Sequence, residues 1–334
     1  MMTESTVRFS VIMPTLNEAA RLPAVLDSIA RQRYPRECVE LLIADGGSTD
    51  ETVAIAESFG AKVFHNPMRR AEPGVGMLFG MARGDVAIVM AADNRFGDEH
   101  VLARLALPFA DPQIMGAFPA VVSTSQDGAT ARYINAFTDP FNHFVYGGAT
   151  SPASYHRTYR VKRREPGYVL YDFRNGPVPL IALAQAFAVR LPYAKPAGTA
   201  EDDVAPVGWL ILQGCDIAFV PEAYVEHHTV SGIGDALAKF GPRIRKRITD
   251  GEQPVWHRLQ AANRMRRFRA YLWPFYGATG ILPAAAALYG LARDGRREWL
   301  YHPFVSAAFA FEFWKQLIFV ALERMSGRNR GAVS

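Results

Sequence analysis

The strongest constraint in this 334-residue chain is an alternation along its first 95 residues, where short apolar runs take turns with helix-period segments. Phe9–Met13 is apolar and stops at Pro14, so it reads as a buried strand. A helical pattern opened by Asn17 and Glu18 follows, with Leu22, Leu26 and Ile29 on one face. Val39–Ala44 is a second strand, closed by Asp45-Gly46-Gly47-Ser48, and Thr49 or Asp50 caps a helix that runs to Phe59. Ala61–Phe64 is a third strand, Met77–Arg83 a helix stopped by Gly84, and Asp85–Ala91 a fourth strand ending at Asp93. Strands that alternate with helices join by crossovers, which predicts an α/β fold with a wound, mostly parallel sheet flanked by helices. Ligands of such sheets bind beyond the carboxyl ends of the strands. Pro14–Glu18, Asp45–Ser48 and Asp93–Asn94 therefore share one rim.

Those rim residues suit a nucleotide. A carboxylate at a strand end, such as Asp45, accepts hydrogen bonds from a base or ribose. Gly46 and Gly47 allow close approach of the backbone. Asp93 offers a hard oxygen to a divalent cation that would bridge a diphosphate. A dehydrogenase would need Gly-x-Gly-x-x-Gly after the first strand. A sugar-phosphate nucleotidyltransferase would need a basic, Gly-rich loop there. The chain has Pro14-Thr15-Leu16-Asn17-Glu18, so both are set aside. Cys38 and Cys215 are too few and too far apart for a disulfide framework or a zinc site. The polar start, Met1 to Arg8, lacks the pattern of a signal peptide, and the N-terminal domain is expected in the cytoplasm.

The rest of the chain changes character twice. Residues 131–177 are rich in Tyr, Phe, His, Arg and Gly with weak periodicity, and read as an irregular surface over the site. Pro179–Val189 is again apolar, and Ile217–Val220 reads as a further strand. Between Arg243 and Arg269 nine Lys or Arg stand against Asp250 and Glu252, a segment that favours anionic partners. Tyr271–Ala292 then runs 22 residues without a charge, long enough to span a bilayer, although Pro274, Pro283 and three glycines suit a kinked or re-entrant course. Phe304–Leu322 is a second apolar segment in which Glu312 and Lys315 stand at pairing distance. Basic residues beside such a segment mark the cytoplasmic membrane face, so membrane is expected as a partner and nucleic acid is not. The expected organisation is a catalytic domain over 1–235, a basic juxtamembrane segment over 236–270 and a membrane-associated helical tail over 271–334. Arg243, Arg245 and Arg247 are candidates for the phosphate of a lipid-linked acceptor.

Five segments in order resemble family 2 glycosyltransferases of the GT-A fold. They are Val11–Glu18, Ile43–Thr52, Ala82–Asp85 with Ala91–Asn94, Ala200–Asp203, and Phe219–Ala223 followed by His227. The resemblance covers about residues 9 to 230. It implies an inverting, metal-dependent transferase that takes a sugar from a nucleoside diphosphate sugar. Pro14, Thr15, Asn17, Glu18, Asp45 and Gly47 would surround the nucleoside. Asp93 would hold Mg²⁺ or Mn²⁺ at the diphosphate, with His227 or its neighbour His228 completing the shell. Asp202 would be the catalytic base and Glu201 would orient the acceptor, with Asp203 the alternative base. The family's Asp-x-Asp is here Ala91-Ala92-Asp93, so its first carboxylate is missing. A non-catalytic nucleotide-sugar-binding protein of the same fold is the alternative.

Overall fold

The computed structural model describes residues 6–177, 179, 185–193, 205–250 and 264–326. The chain divides into two compact units, one of Met1–Thr124 with Ser154–His228 and one of Ser125–Ala153 with Thr229–Ser334.

The first unit is built on a mixed sheet. Its strands are β1 (Phe9–Thr15), β2 (Val39–Asp45), β3 (Lys62–His65), β4 (Val86–Val89), β5 (Asn94–Phe96), β6 (Ile114–Val122), β7 (Val161–Glu165), β8 (Tyr168–Tyr171), β9 (Phe187–Arg190) and β10 (Asp216–His227). Their order is β3-β2-β1-β4-β9-β6-β10-β8-β7, with β5 against β10. The β1–β2, β1–β4, β2–β3 and β6–β10 ladders are parallel. The ladders that involve β5, β7, β8 or β9 are antiparallel. Parallel pairing thus rules the half of the sheet built from β1 to β4, and the far half is mixed.

The apolar runs of β1 and β4 have a direct cause: both faces are covered. Phe9, Val11 and Met13 point to one core with Val86 and Ile88, and Ile12 points to a second with Ala87 and Val89. This period-two split leaves no position for a polar face. Helix α1 (Leu22–Ala30) gives Leu22, Val25, Leu26 and Ile29 to the first core. Helix α2 (Thr52–Ser58) adds Ala56 to the same core. Helix α3 (Ala71–Met81) gives Val75 and Leu78 to the second. Each fully buried Leu, Ile or Val contributes about 1.5–3 kcal/mol.

Some boundaries differ from expectation for visible reasons. Asn17 has a left-handed φ of 55°, so α1 opens at Leu22 and not at Asn17. Helix α3 begins six residues before Met77, because Pro73 fits a first helical turn and Gly74 lies against Pro14 and Ala44. A Cβ on Gly74 would stand 3.2 Å from Ala44 Cβ and 3.3 Å from Pro14 Cβ, so the glycine lets the helix sit down on the strands. The Ile217–Val220 strand continues to His227, with a register shift between Val220 and Tyr224 where Pro221 lacks an N–H.

Residues 131–177 are not irregular. They include the β7–β8 hairpin, turned by Pro166 and Gly167 (φ 92°), and the short helix Tyr155–Thr158 in the first unit. The second unit holds α4 (Ala129–Phe137) and α5 (Pro140–Tyr146) from the same stretch. Helix α5 is capped by Asp139, whose carboxylate accepts from Asn142 N–H at 3.0 Å, with Pro140 in the first turn. The second unit is completed by α6 (Ile233–Asp250), α7 (Arg264–Thr279), α8 (Ile281–Asp294) and α9 (His302–Met325). Its core is aromatic: Tyr133, Phe137, Trp273, Trp299 and Phe309. His302 sits at the centre, held by the Tyr133 hydroxyl at 2.6 Å and the Tyr276 hydroxyl at 2.8 Å. The uncharged Tyr271–Ala292 stretch is broken at Gly280 (φ 66°), where α7 and α8 meet at 96°.

Candidate functional site

The chain runs β1 to β2 to β3 on one side of β1 and then places β4 on the other. A crevice therefore opens between β1 and β4 at their carboxyl ends, the place where wound sheets bind ligands. Thr15 ends β1 opposite Asp45, which ends β2.

Asp45 is the hub of this rim. Its Oδ2 accepts from Gly47 N–H at 2.9 Å and Ser48 N–H at 2.8 Å. Its Oδ1 accepts from the Ser48 hydroxyl at 2.5 Å and the Thr15 hydroxyl at 3.3 Å. Gly47 reaches the carboxylate because its φ of 87° is open to glycine. Burial pushes the Asp45 carboxyl upward, but the hydrogen bonds from Ser48, Gly47 and Thr15 outweigh it and hold its pKa below the ordinary value. Asp45 is therefore ionised at neutral pH.

The two rim loops are pinned to each other. Asn17 N–H donates to Ser48 Oγ at 2.8 Å, and Asn17 Oδ1 accepts from Thr49 N–H at 2.8 Å. Glu18 N–H donates to Thr52 Oγ1 at 2.8 Å, and Ala19 N–H to Asp50 at 3.1 Å. Asn17 and Ser48 thus shape the loop, while Pro14 faces Ala44 in register and packs against Gly74 of α3. A pre-formed rim of this kind needs little ordering when a ligand enters.

Beyond β4 the chain turns, with Asn94 N–H donating to Ala91 O at 3.0 Å, and enters β5. β5 pairs with the end of β10, placing Asn94 opposite His227 and Arg95 opposite Glu226. His228 N–H donates to Asp93 O at 2.8 Å. The result is that His227 Nε2 lies 3.5 Å from Asp93 Oδ2, both side chains largely shielded from solvent. A carboxylate oxygen and an imidazole nitrogen at this separation suit one divalent cation, which would take its other ligands from a diphosphate and water. Among the described residues no group of three metal-binding side chains occurs.

Three neighbours of this pair were not expected. Gln185 Nε2 stands 3.2 Å from His227 Nε2, and Gln185 Oε1 is buried with no hydrogen-bond partner among the described residues. Arg95 pairs with Glu226 at 3.2 Å and touches His228, whose Nε2 is 3.7 Å from Glu226. His228 is thus engaged with Arg95 and Glu226, and His227 is the histidine that meets Asp93. Gln185 carried no signal beyond its place in an apolar run, because only strand pairing brings it to His227.

The other predicted residues divide as follows. Glu201, Asp202 and Asp203 lie outside the described residues. Arg243, Arg245 and Arg247 lie on α6 in the second unit. Arg245 forms an ion pair with Glu323 at 2.5 Å, Arg243 stacks over Phe240 at 5.5 Å, and Arg247 stacks over Phe141 at 5.1 Å.

Residues 10–171 match the model of Glycosyl transferase family 2. A PGL/p-HBAD biosynthesis glycosyltransferase from Mycobacterium bovis (strain BCG / Pasteur 1173P2) is 42% identical over 104 residues, 29% of this chain and 40% of that protein. The 4,4'-diaponeurosporenoate glycosyltransferase of Staphylococcus haemolyticus is 32% identical over 120 residues, 34% of this chain and 31% of that protein. The matches thus span about two-fifths and one-third of those relatives. A mannosyltransferase from Pyrobaculum calidifontis, solved with GDP-Man and Mn²⁺, shares the fold with a TM-score of 0.53 at 19% identity, covering 94% of this chain and 88% of that one. Residues 10–171 thus match family 2 glycosyltransferases, and the wound sheet is the fold of the mannosyltransferase.

Proposed function

We propose that the protein is an inverting glycosyltransferase. It moves a sugar from a nucleoside diphosphate sugar to an acceptor hydroxyl or phosphate, on a lipid-linked polyprenyl glycan at the cytoplasmic face of the membrane. The observation that carries the reading is the Asp93–His227 pair, 3.5 Å apart at the mouth of the β1–β4 crevice. Thr15, Asn17, Glu18, Asp45 and Gly47 frame the nucleoside, and Asp93 with His227 hold Mn²⁺ or Mg²⁺. When bound, the cation neutralises charge on the leaving diphosphate. The relative of the same fold was solved with a nucleotide sugar and Mn²⁺, which supports that pairing of ligands. Asp202, in the Glu-Asp segment, accepts the proton of the acceptor hydroxyl as its oxygen bonds to the anomeric carbon. The bond from that carbon to the diphosphate oxygen breaks with its electrons leaving on the diphosphate, and Glu201 orients the acceptor. A lipid-linked acceptor is supported by the apolar tail and by the staphylococcal relative, named for 4,4'-diaponeurosporenoate.

The second reading, a non-catalytic nucleotide-sugar-binding protein, is favoured by Ala91 standing where the family has its first carboxylate. Turnover of radiolabelled UDP- and GDP-sugars by detergent-purified protein decides between them. Transfer or donor hydrolysis that Asp202→Asn abolishes, with nucleotide binding intact, is the expected result. Binding without turnover in the wild type would leave the sensor, and wild-type turnover in Asp202→Asn would remove the base assignment.

A further inference from the structure

Helix α9 is apolar on two sides. Its inner face buries Val305, Phe309, Ala310 and Val320 together with Glu312, which is paired with Lys315 at 2.5 Å and accepts from Gln316 Nε2 at 2.7 Å. Glu323 pairs with Arg245 of α6. Its opposite face shows Phe304, Phe311, Ile318, Leu322 and Met325 at helical spacing, each at least half exposed. The face continues onto α7, where Phe275 meets Trp314 with ring centroids 5.3 Å apart and Phe268, Tyr271 and Leu272 follow at the same spacing. Of the 24 large hydrophobic side chains exposed among the described residues, 17 belong to α7, α8, α9 and the turn before α9. Monomers that stay in water rarely show so extended a patch.

We propose that the second unit docks on a bilayer through this face and does not cross it, so that α9 lies in the membrane plane. Three features identify the occupant as an anionic lipid surface. Arg264, Arg267 and Arg269 are exposed on α7 in alternation with Met265 and Phe268, the arrangement that places guanidinium groups at phosphates and apolar side chains below them. Tyr271, Tyr289 and Tyr301 are exposed on α7, α8 and the turn before α9, aromatic rings with a polar tip suited to the headgroup level. The third feature excludes a span, although α9 with its preceding turn is long and apolar enough for one. Its inner face packs on α4 and α6 as well as on α7. Tyr133 of α4 holds His302, Phe240 of α6 packs on Phe309, and Arg245 of α6 pairs with Glu323. Helix α6 carries exposed Arg243 and Lys246. A transmembrane α9 would draw those charges toward hydrocarbon, where an unpaired charge is strongly disfavoured.

The reading concerns position, not turnover, so it stands or falls apart from the transferase assignment. Single cysteines are placed at Arg297→Cys and Ser326→Cys, at the two ends of the segment, and at Glu57→Cys in the first unit, in a Cys38→Ser, Cys215→Ser background. An impermeant maleimide is applied to intact cells and to inverted membrane vesicles. All three sites are expected to react only in inverted vesicles. Labelling of Arg297→Cys and Ser326→Cys from opposite sides would overturn the proposal. In a second measurement, purified protein partitions onto phosphatidylcholine vesicles containing phosphatidylglycerol. Phe304→Glu, Phe311→Glu and Ile318→Glu together should lower partitioning at least tenfold, and high salt should lower it further. A wild type that ignores such vesicles and instead dimerises through this face, with the triple variant monomeric, would overturn it too.

Discussion

At the scale of single residues the rim rests on Asp45 and the mouth on Asp93 with His227. The Asp45 carboxylate takes four hydrogen bonds from Thr15, Gly47 and Ser48, and an amide in its place would turn an NH₂ toward donors. Asp45→Asn is expected to cost about 1–3 kcal/mol of stability. Because its folded pKa is lowered, the carboxylate's contribution is fully present above the ordinary carboxylate range near pH ~4 and is lost as pH falls through the depressed value. The gap between wild type and Asp45→Asn in urea unfolding should therefore narrow below about pH 4, and a gap independent of pH would contradict this account. Asp93→Ala and His227→Ala should each remove most of the enhancement that Mn²⁺ gives to UDP or GDP binding, at least about tenfold or ~1.4 kcal/mol. Calorimetry with and without Mn²⁺ measures this, and an unchanged enhancement in His227→Ala would restrict the metal to Asp93. Thr15 and Asp45 were readable in the sequence because each closes an apolar strand, and Asp93 because it follows one. Gln185, Arg95 and Glu226 were not, because β5 and the end of β10 meet only through long-range pairing.

At the scale of elements, packing overrode local propensity at Gly74 of α3. Sequence pattern gives α3 only from Met77, since Gly74 and Gly76 disfavour helix. The folded chain extends it to Ala71, since a bare Cα at Gly74 lets the helix approach β1 and β2. The same device joins α7 to α9. A Cβ on Gly277 would lie 2.7 Å from Ala310 Cβ and 2.9 Å from Ser306 O, and neither atom is the end of a flexible side chain. Gly277→Ala should lower the melting temperature by an amount equal to about 1–3 kcal/mol. Gly280→Ala, with nothing within 4 Å but a φ of 66°, should cost about 1–2 kcal/mol from the left-handed backbone alone. Thermal melts in one detergent compare the two, and a neutral Gly277→Ala would mean that α7 and α9 pack less closely than described. The β7–β8 hairpin left a turn pair in Pro166-Gly167, a signal that the reading of 131–177 as irregular passed over. Helices α4 and α5 were not legible, because their aromatic faces answer to Trp273, Trp299 and His302 far along the chain.

At the scale of the whole molecule, the tail is part of a folded unit and not an appendage to a finished domain. Residues 125–153 leave the first unit, bury Tyr133, Ile134 and Phe137 among residues of the C-terminal helices, and return at Ser154. Truncation after His228 is therefore expected to yield aggregated protein, because α4 and α5 lose the partners of their apolar faces. Solubility in the detergent that holds the full chain is the measurement, and a monomeric, nucleotide-binding 1–228 fragment would contradict the division into units. Periodicity in the sequence showed the first unit and the apolar tail, but it could not show that the middle of the chain belongs with the end. The β5–β10 pairing has one more consequence, in the order of synthesis. Arg95 and His228 are separated by 133 residues, and Asp93 meets His227 only once β10 has been laid against β5. On the ribosome the Asp45 rim of β1 and β2 can close early, while the Asp93–His227 pair waits for nearly all of the first unit to emerge. A nascent chain thus cannot assemble that pair before the strand that completes its sheet is in place.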